Sequence, residues 1–350
     1  MRAVLIPGDR RTEVIDRERP VAGPGQVVIA IKAAGLCGSD IHMLYRTPAQ
    51  QRSGEIMKGL SIDPQIICSH EPAGVVVAVG PGVDYLHSGD RVAVAHLSGC
   101  GHCLACRRGW DIDCPQKQTY GFDRDGAMSE FMLAEAKDCA ILPDTVSFTE
   151  GAFYACGAGT GYACLKRGNF QPGETVAVVG LGQVGLTAAY FAAAGGARVI
   201  GIDPVARRRE FALQHGVTIA VDPTDADVAA LVAAANGGTG ADLCIDATGV
   251  SAGRRAALDA ARTWGRVVMV GFGDDETAID VGAQIIQKQL TVIGAWVYST
   301  PDLQEMLADV ARRGLSVAEM ITHEYPLDQA AAAWRDVDGG SPGKSMVVLP

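Results

Sequence analysis

The rhythm of apolar and polar positions changes part-way along the chain. In the opening, β-branched runs such as Val27-Val28-Ile29-Ala30-Ile31-Lys32 and Gly74-Val-Val-Val-Ala-Val-Gly80, the second followed by the turn pair Pro81-Gly82, predict short strands over residues 1–35 and 66–100. From about residue 170 the pattern alternates. Short apolar runs at 175–179, 198–203, 219–221, 243–246, 266–270 and 290–294 read as strands. Between them, 184–194, 207–215, 226–235 and a segment near 254–261 read as helices. Strands alternating with helices predict a parallel sheet covered on both faces. After residue 297 the alternation stops, and a helix over 302–313 and a closing strand over 345–349 are expected.

Length and charge narrow the field. A chain of 350 residues favours two domains at roughly 100–200 residues each. A hydrophobic share of 48% excludes a disordered chain. A net charge of −10 with no basic block argues against nucleic acid and an anionic membrane surface as partners. The first apolar run is too short for a secretory leader and no stretch of 18 apolar residues occurs, so a cytoplasmic location is expected.

The cysteines carry the first chemical signal. In a reducing cytoplasm ten of them should not form structural disulfides. Four fall in 15 residues: Cys100-Gly-His-Cys103-Leu-Ala-Cys106-Arg-Arg-Gly-Trp-Asp-Ile-Asp-Cys114. Zinc favours a closed tetrahedron of thiolates, and two-residue gaps let neighbouring thiolates reach one ion. Four unrelated buried thiols, or an iron–sulfur cluster with other spacings, are the alternatives. A zinc with all four positions filled is structural; His102, inside the lobe, has no place on it.

The second signal is Gly180-Leu-Gly182-Gln-Val-Gly185 between a strand and a helix, the context a dinucleotide site requires. The first glycine permits the tight turn, the second lets backbone approach a pyrophosphate, and the third allows close helix–strand packing. The helix N-terminus offers free N–H groups to the phosphates. Asp203, eighteen positions after Gly185, ends the next strand, where a carboxylate accepts hydrogen bonds from ribose hydroxyls and repels a 2′-phosphate. NAD is therefore expected over NADP. A glycine-rich turn with a surface aspartate is the bland alternative.

The third signal is dispersed. Gly35-Leu-Cys37-Gly-Ser39-Asp40-Ile-His42, Cys68-Ser-His70-Glu71-Pro72 and Cys156-Gly-Ala-Gly-Thr160-Gly place thiols, imidazoles and carboxylates in three patches flanking the nucleotide segment. A catalytic zinc takes three protein ligands and keeps one position open, and Cys37, His70 and Cys156 are the natural set.

These motifs, in this order and over essentially the whole chain, resemble the zinc-dependent medium-chain alcohol dehydrogenase family. The resemblance implies a GroES-like β-barrel catalytic domain over 1–156 and 297–350, with a structural zinc lobe at 97–115, and a Rossmann doubly wound parallel-sheet domain over 157–296. It implies two zinc ions per chain: one on Cys37, His70 and Cys156, the other on Cys100, Cys103, Cys106 and Cys114. Glu71 would stand beside the catalytic metal, and Asp40 would hydrogen-bond a ligand imidazole, His70, to fix its tautomer. Ser39 and His42 would relay the alcohol proton through the cofactor ribose. Thr160 would contact the nicotinamide end, Arg208 the adenosine ribose, and Gln183, Val184, Thr248 and Val270 further parts of the NAD. A homodimer or homotetramer joined near 290–298 is also implied.

The sequence departs from the family in places. Gly38 stands where several members carry a cation; polyol and sugar dehydrogenases often have Gly there, yet those enzymes often use Glu at the position of Cys156. The segment from Met43 to Arg52 and onward lengthens the gap between Cys37 and His70, either reshaping the substrate pocket or forming a remote surface loop. Tyr45, Trp110, Phe122 and Trp296 are unranked candidates for pocket walls; Cys68, Cys139, Cys164 and Cys244 read as small buried hydrophobes. The expectation is an NAD-dependent dehydrogenase of primary or secondary alcohols, acting on a small-molecule alcohol or carbonyl. A polyol or sugar dehydrogenase is the alternative within the enzymes. A non-catalytic zinc- and NAD-binding protein is a remote one, and a metal-free enone reductase is disfavoured by both zinc sets.

Overall fold

The strand Gln26–Gly35 organises the first half of the chain in the computed structural model, which describes residues 1–45, 63, 65–224, 227–273 and 276–350. The long segment after Met43, expected either to reshape the substrate pocket or to form a remote surface loop, lies mostly outside the described residues. Alternate side chains of Gln26–Gly35 are fully buried, Val27, Ile29 and Ile31 among them. It pairs antiparallel with Pro72–Val79 and with Phe131–Glu135. Pro72–Val79 continues to Arg91–Val94, and that strand to Cys139–Ile141. On its other side Gln26–Gly35 takes the C-terminal strand Lys344–Val348, which pairs in turn with Ile321–Pro326. The C-terminal strand thus joins the sheet organised by Gln26–Gly35, with Met346 opposite Gly35. The buried core includes Val4, Val76, Val92, Met132 and Trp334.

The helices Phe148–Tyr154 and Ala330–Asp338 are among those that carried no sequence expectation. Phe148–Tyr154 is started by a reciprocal cap in which Ser147 Oγ accepts from the Glu150 amide (3.2 Å) and Glu150 Oε2 accepts from the Ser147 amide (3.1 Å). Ala330–Asp338 buries Trp334 against Tyr45, their rings 6.0 Å apart.

The second unit is a six-stranded parallel sheet. Its strands, Thr175–Val179, Arg198–Ile202, Ile219–Val221, Ala241–Asp246, Ala261–Met269 and Thr291–Gly294, lie in the order 3-2-1-4-5-6 of a doubly wound dinucleotide fold. The central strand Thr175–Val179 is buried at every position, as an apolar run without alternation requires. The helices Gln183–Ala194, Ala206–Leu213, Val228–Ala235 and Ser251–Ala260 connect the strands. Asp227 caps the third, accepting from the Ala230 amide at 3.2 Å, so that helix begins two residues after the expected start.

The chain divides into Met1–Gly159 with Val297–Pro350, and Thr160–Trp296. The division falls three residues beyond the expected 156/157 boundary, inside the helix Gly157–Arg167. Among the described residues no helix is long and apolar enough to cross a membrane.

Candidate active site and metal centres

The strand Gln26–Gly35 runs out into Leu36 and Cys37, and a short helical turn, Gly38–Asp40, follows. Asp40, fully buried, works in two directions. Its Oδ2 accepts from the Cys37 amide (3.1 Å) and its Oδ1 lies 3.0 Å from His70 Nδ1. A carboxylate on Nδ1 leaves Nε2 of His70 as the ligating nitrogen. His70 and Glu71 are aimed by Ser69, which takes a left-handed backbone (φ 72°) and whose Oγ donates to the Gly35 carbonyl (2.8 Å). Gly35 must lack a side chain, because a Cβ there would fall 1.9 Å from Glu71 Oε2. Cys156 follows the helix Phe148–Tyr154, its amide donating to the Phe153 carbonyl (3.3 Å).

These turns bring one ligand atom each of Cys37, His70, Glu71 and Cys156 within 4.8 Å of one another. Glu71 Oε1 is buried without a hydrogen-bond partner among the described residues. Two sulfurs, an imidazole and a carboxylate with an unsatisfied oxygen are a donor set suited to zinc. Cys37 is held well below the ordinary thiol value, chiefly by a hydrogen bond from Cys156 that outweighs burial. Cys156, the donor of that bond and itself buried, is pushed well up. Burial opposes charge on His70, and Asp40 more than offsets it, placing His70 well above the ordinary value.

Two residues at this site carried no sequence expectation. Lys344 is fully buried, ion-paired with Glu71, and donates to the Leu36 carbonyl at 2.8 Å. Burial pushes Glu71 up to about 7 against the pull of Lys344. The only sequence signal was a lysine opening an apolar closing strand, and its inward direction depends on pairing with the distant strand Gln26–Gly35. The other is His96, whose ring lies 5.3 Å from that of His70. Burial, foremost, and the neighbouring His70 lower it to about 4, so it is neutral near pH 7. Nothing in its local sequence marks it.

Of the proposed wall residues, Phe122 stacks on His70 at 5.2 Å, Tyr45 is packed in the core against Trp334, and Trp110 is exposed on the cysteine lobe. Trp296 is half-buried in the second unit. Ser39 and His42 are half-buried on the turns beside Asp40. Cys68, Cys139, Cys164 and Cys244 are buried, outside both clusters.

Cys100, Cys103, Cys106 and Cys114 form the second cluster, their sulfurs also within 4.8 Å of one another. Backbone amides point at three of them: Cys103 to Cys100 Sγ (3.3 Å), Cys106 to Cys103 Sγ (3.5 Å), and Cys100 and Gln116 to Cys114 Sγ (3.2 and 3.3 Å). Such donors favour thiolates, which fits a zinc tetrahedron. Cys100 is lowered to about 6 by this kind of bond, whereas desolvation raises Cys106 to about 12. His102 turns away to its own lobe, Nδ1 2.9 Å from the Cys100 carbonyl.

In the second unit Gly180 adopts φ 91°, a Cβ on Gly185 would fall 1.8 Å from the Gly180 carbonyl, and Gly182 has open space at its Cβ position. The turn is therefore tight at its ends and open in the middle, where Gln183 and Val184 begin the helix. Asp203 is buried rather than presented to solvent, its Oδ2 accepting from the Leu181 amide and its Oδ1 from the Val205 amide, both at 2.8 Å. It thus fastens the glycine-rich turn, and each oxygen keeps a second lone pair for a ligand. Arg208 Nη1 is 3.7 Å from Asp203 Oδ2, while Arg209 bonds the Asp203 carbonyl (2.7 Å) and pairs with Asp222 (2.8 Å). Asp246, not anticipated, accepts from Thr248 Oγ1 at 2.5 Å, and its carbonyl accepts from the Val270 amide at 2.9 Å. Thr160 is buried in the helix Gly157–Arg167.

Residues 23–144 match the family model described as alcohol dehydrogenase GroES-like domain, and residues 184–312 the model described as zinc-binding dehydrogenase. The chain belongs to the medium-chain dehydrogenase/reductase family. This dehydrogenase is 37% identical over 357 residues to the uncharacterized zinc-type alcohol dehydrogenase-like protein YphC of Escherichia coli K12, covering 100% of this chain and 99% of that one. It is 30% identical over 350 residues to the 2-dehydro-3-deoxy-L-galactonate 5-dehydrogenase of Pseudoalteromonas atlantica, covering 99% and 98%. Among solved structures it is similar to the alcohol dehydrogenase TADH from Thermus sp. ATN1, with a TM-score of 0.91, 28% identity and full coverage of both chains. The medium-chain dehydrogenase fold thus spans the whole chain.

Proposed function

We propose that this medium-chain dehydrogenase oxidises a primary or secondary alcohol to the aldehyde or ketone with NAD, using one catalytic and one structural zinc. The observation that carries the reading is the buried donor set Cys37, His70, Glu71 and Cys156, with Asp40 seated on His70 Nδ1. When bound by Cys37, His70 and Cys156, zinc supplies Lewis-acid chemistry that lowers the pKa of a hydroxyl at its open position. Asp40 keeps the His70 tautomer and orients the ring. Lys344 holds the Glu71 carboxylate, which stands beside the metal site. Ser39 receives the alcohol proton and His42 carries it onward, an imidazole being suited to exchange near neutral pH.

The glycine-rich turn cradles the pyrophosphate, with contacts to NAD also from Thr160, Thr248, Val270 and Arg208. The free lone pairs of Asp203 accept the adenosine ribose hydroxyls. A 2′-phosphate there meets a carboxylate at about 4 Å, a repulsion of about 4 kcal/mol at an effective dielectric of about 20. Preference for NAD over NADP is expected to be about 10²-fold or greater. Asp203→Ser should collapse that ratio, measured as kcat/KM for both cofactors with one alcohol; parity in the wild type defeats the assignment. The sugar-acid dehydrogenase among the relatives and the small Gly38 favour a polyol or sugar alcohol as the second reading. Assembly as a homodimer or homotetramer is supported by the edge strand Thr291–Gly294, which pairs on one side only among the described residues and leaves Val292 exposed. The deciding experiment is elemental analysis for two zinc ions per chain, joined to a substrate screen with NAD read by NADH absorbance. One zinc per chain, or iron, sinks the two-zinc reading.

A further inference from the structure

We propose that Ser69 is a positioning residue for the inner metal site: its hydroxyl clasps the segment that carries His70 to the segment that carries Cys37, and so sets how firmly these two ligands hold one metal ion. The inference rests on the catalytic zinc of the reading above and assigns the retention of that zinc to one further residue.

Side-chain links join these segments in both directions. Asp40, which follows Cys37, reaches across to His70 Nδ1 (3.0 Å). Ser69, just before His70, reaches back. Its Oγ donates to the carbonyl of Gly35 (2.8 Å), which precedes Leu36 and Cys37. The same oxygen accepts from the Glu71 amide at 3.5 Å, and the Glu71 carbonyl accepts from the Gly35 amide at 2.9 Å. Gly35 is thus held at both its amide and its carbonyl by residues 69–71. The amide link needs only backbone, which any residue at position 71 except proline or glycine alike supplies through its carbonyl. The carbonyl link needs a donor on the side chain at position 69.

The backbone at Ser69 singles out that hydroxyl. A φ of 72° lies in the left-handed region, where glycine is the residue at ease. The surroundings hold Ser69 there. Its carbonyl accepts from the Ala127 amide at 2.8 Å, and its main chain occupies the space that a Cβ would need at Gly121 and at Gly126, 2.8 and 2.1 Å away. Glycine would take this turn without strain, so the side-chain bond is what serine adds. Two simpler roles fit less well. As a proton carrier Ser69 is fully buried, with its hydrogen already given to the Gly35 carbonyl. As a fold element alone, glycine would serve the same backbone better.

The test is the zinc affinity of the zinc-loaded full chain, measured by competition with a chelator, in the wild type, Ser69→Gly and Ser69→Ala. Iodoacetamide labelling read by peptide mass tells which zinc has left, since Cys37 and Cys156 report the inner site and Cys103 and Cys106 the lobe. Both variants should hold the inner zinc about tenfold to a hundredfold less tightly, the scale on which losing a partner behind the ligands weakens metal binding. The lobe zinc should stay at its wild-type affinity. The zinc-loaded glycine variant should melt no lower than the alanine variant, because glycine takes the left-handed backbone freely, and it guards against an alanine variant that fails to fold. Wild-type affinity at the inner site in Ser69→Gly overturns the role of the hydroxyl and leaves the dehydrogenase reading standing. Equal weakening at both sites overturns it too, as a general loosening of the fold. A wild type that binds zinc on the lobe alone, or binds none, overturns the catalytic-zinc reading beneath it.

Discussion

The four thiols of the lobe come from one stretch of 15 residues, whereas the four donors of the inner cluster come from three segments between Cys37 and Cys156. The lobe is half-exposed, with only Cys114 fully buried; the inner cluster has three of its four members buried. What holds each differs accordingly. The lobe is shaped by its own amides pointing at sulfur and by fastenings from outside it, among them Asp111 Oδ2 accepting from the Thr300 amide (3.2 Å) and Oγ1 (2.8 Å) and Lys137 Nζ donating to Ser98 Oγ (3.0 Å). The inner donors are held by side chains that are not themselves donors: Asp40 on His70, Lys344 on Glu71, Ser69 on the Gly35 carbonyl. On the proposed two-zinc reading, a lobe with little apolar material of its own should depend on its metal for structure. On the same reading, a cluster buttressed by the surrounding sheet should need its metal only for chemistry.

That contrast can be broken by experiment. The largest effect is expected from His70→Ala, which should lower turnover by about 10³-fold, the scale of losing a group aimed at developing charge. Its melting temperature should stay nearer the wild type than that of any lobe variant, and a fold lost together with activity defeats the contrast. Cys103→Ala should lose one zinc of two and cost about 3 kcal/mol or more, on the order of 10 °C in melting temperature. Calorimetry with zinc analysis checks this, and full stability with one zinc missing would mean that the lobe holds itself. Ser39→Ala keeps both metals and tests the proton path alone. Turnover should fall by about 10²-fold, within the range of general acid–base contributions, and an unchanged rate removes Ser39 from the path.

The smallest effect concerns pH. His96 is lowered to about 4 in the fold, chiefly by burial, against 6.5 when exposed. The unfolded chain therefore binds the proton first as pH falls, so this stability is fully present above about 6.5 and is lost from there toward 4. By pH 5.5 the loss is roughly 1 kcal/mol. Urea unfolding at pH 7.5 and 5.5 should show this component in the wild type and lack it in His96→Phe; equal pH slopes exclude His96 as its source.

Much was legible because it is written locally. The apolar run Thr175–Val179 needs both its faces covered, which only a central parallel strand provides, and its ends agree with the expectation. The glycine-rich turn is encoded at its two ends, Gly180 and Gly185, where a Cβ has no room. The helix Ala330–Asp338 and the strand Ile321–Pro326 were missed because they rely on partners far along the chain: Trp334 on Tyr45, and Ile321–Pro326 on the closing strand. Asp203 was read as a carboxylate facing a ribose, and the pairing of strands shows it also buried beneath the turn it fastens.

The sequence by itself determined the alternation of strands and helices, the glycine-rich turn, the four-cysteine lobe and the candidate donors, since each is set by neighbours within a few residues or by side-chain chemistry that does not depend on context. Only the tertiary structure decided which distant groups meet. Lys344 reaches Glu71 because the C-terminal strand lies against Gln26–Gly35. His96 turns its Nδ1 to the Ala155 carbonyl and its ring to His70 because the chain on either side is tied to Asp138 and Tyr120. A lysine opening an apolar run or a histidine after a strand has no periodicity to betray its direction. Where it points is settled by strand register, and register is a property of the whole sheet.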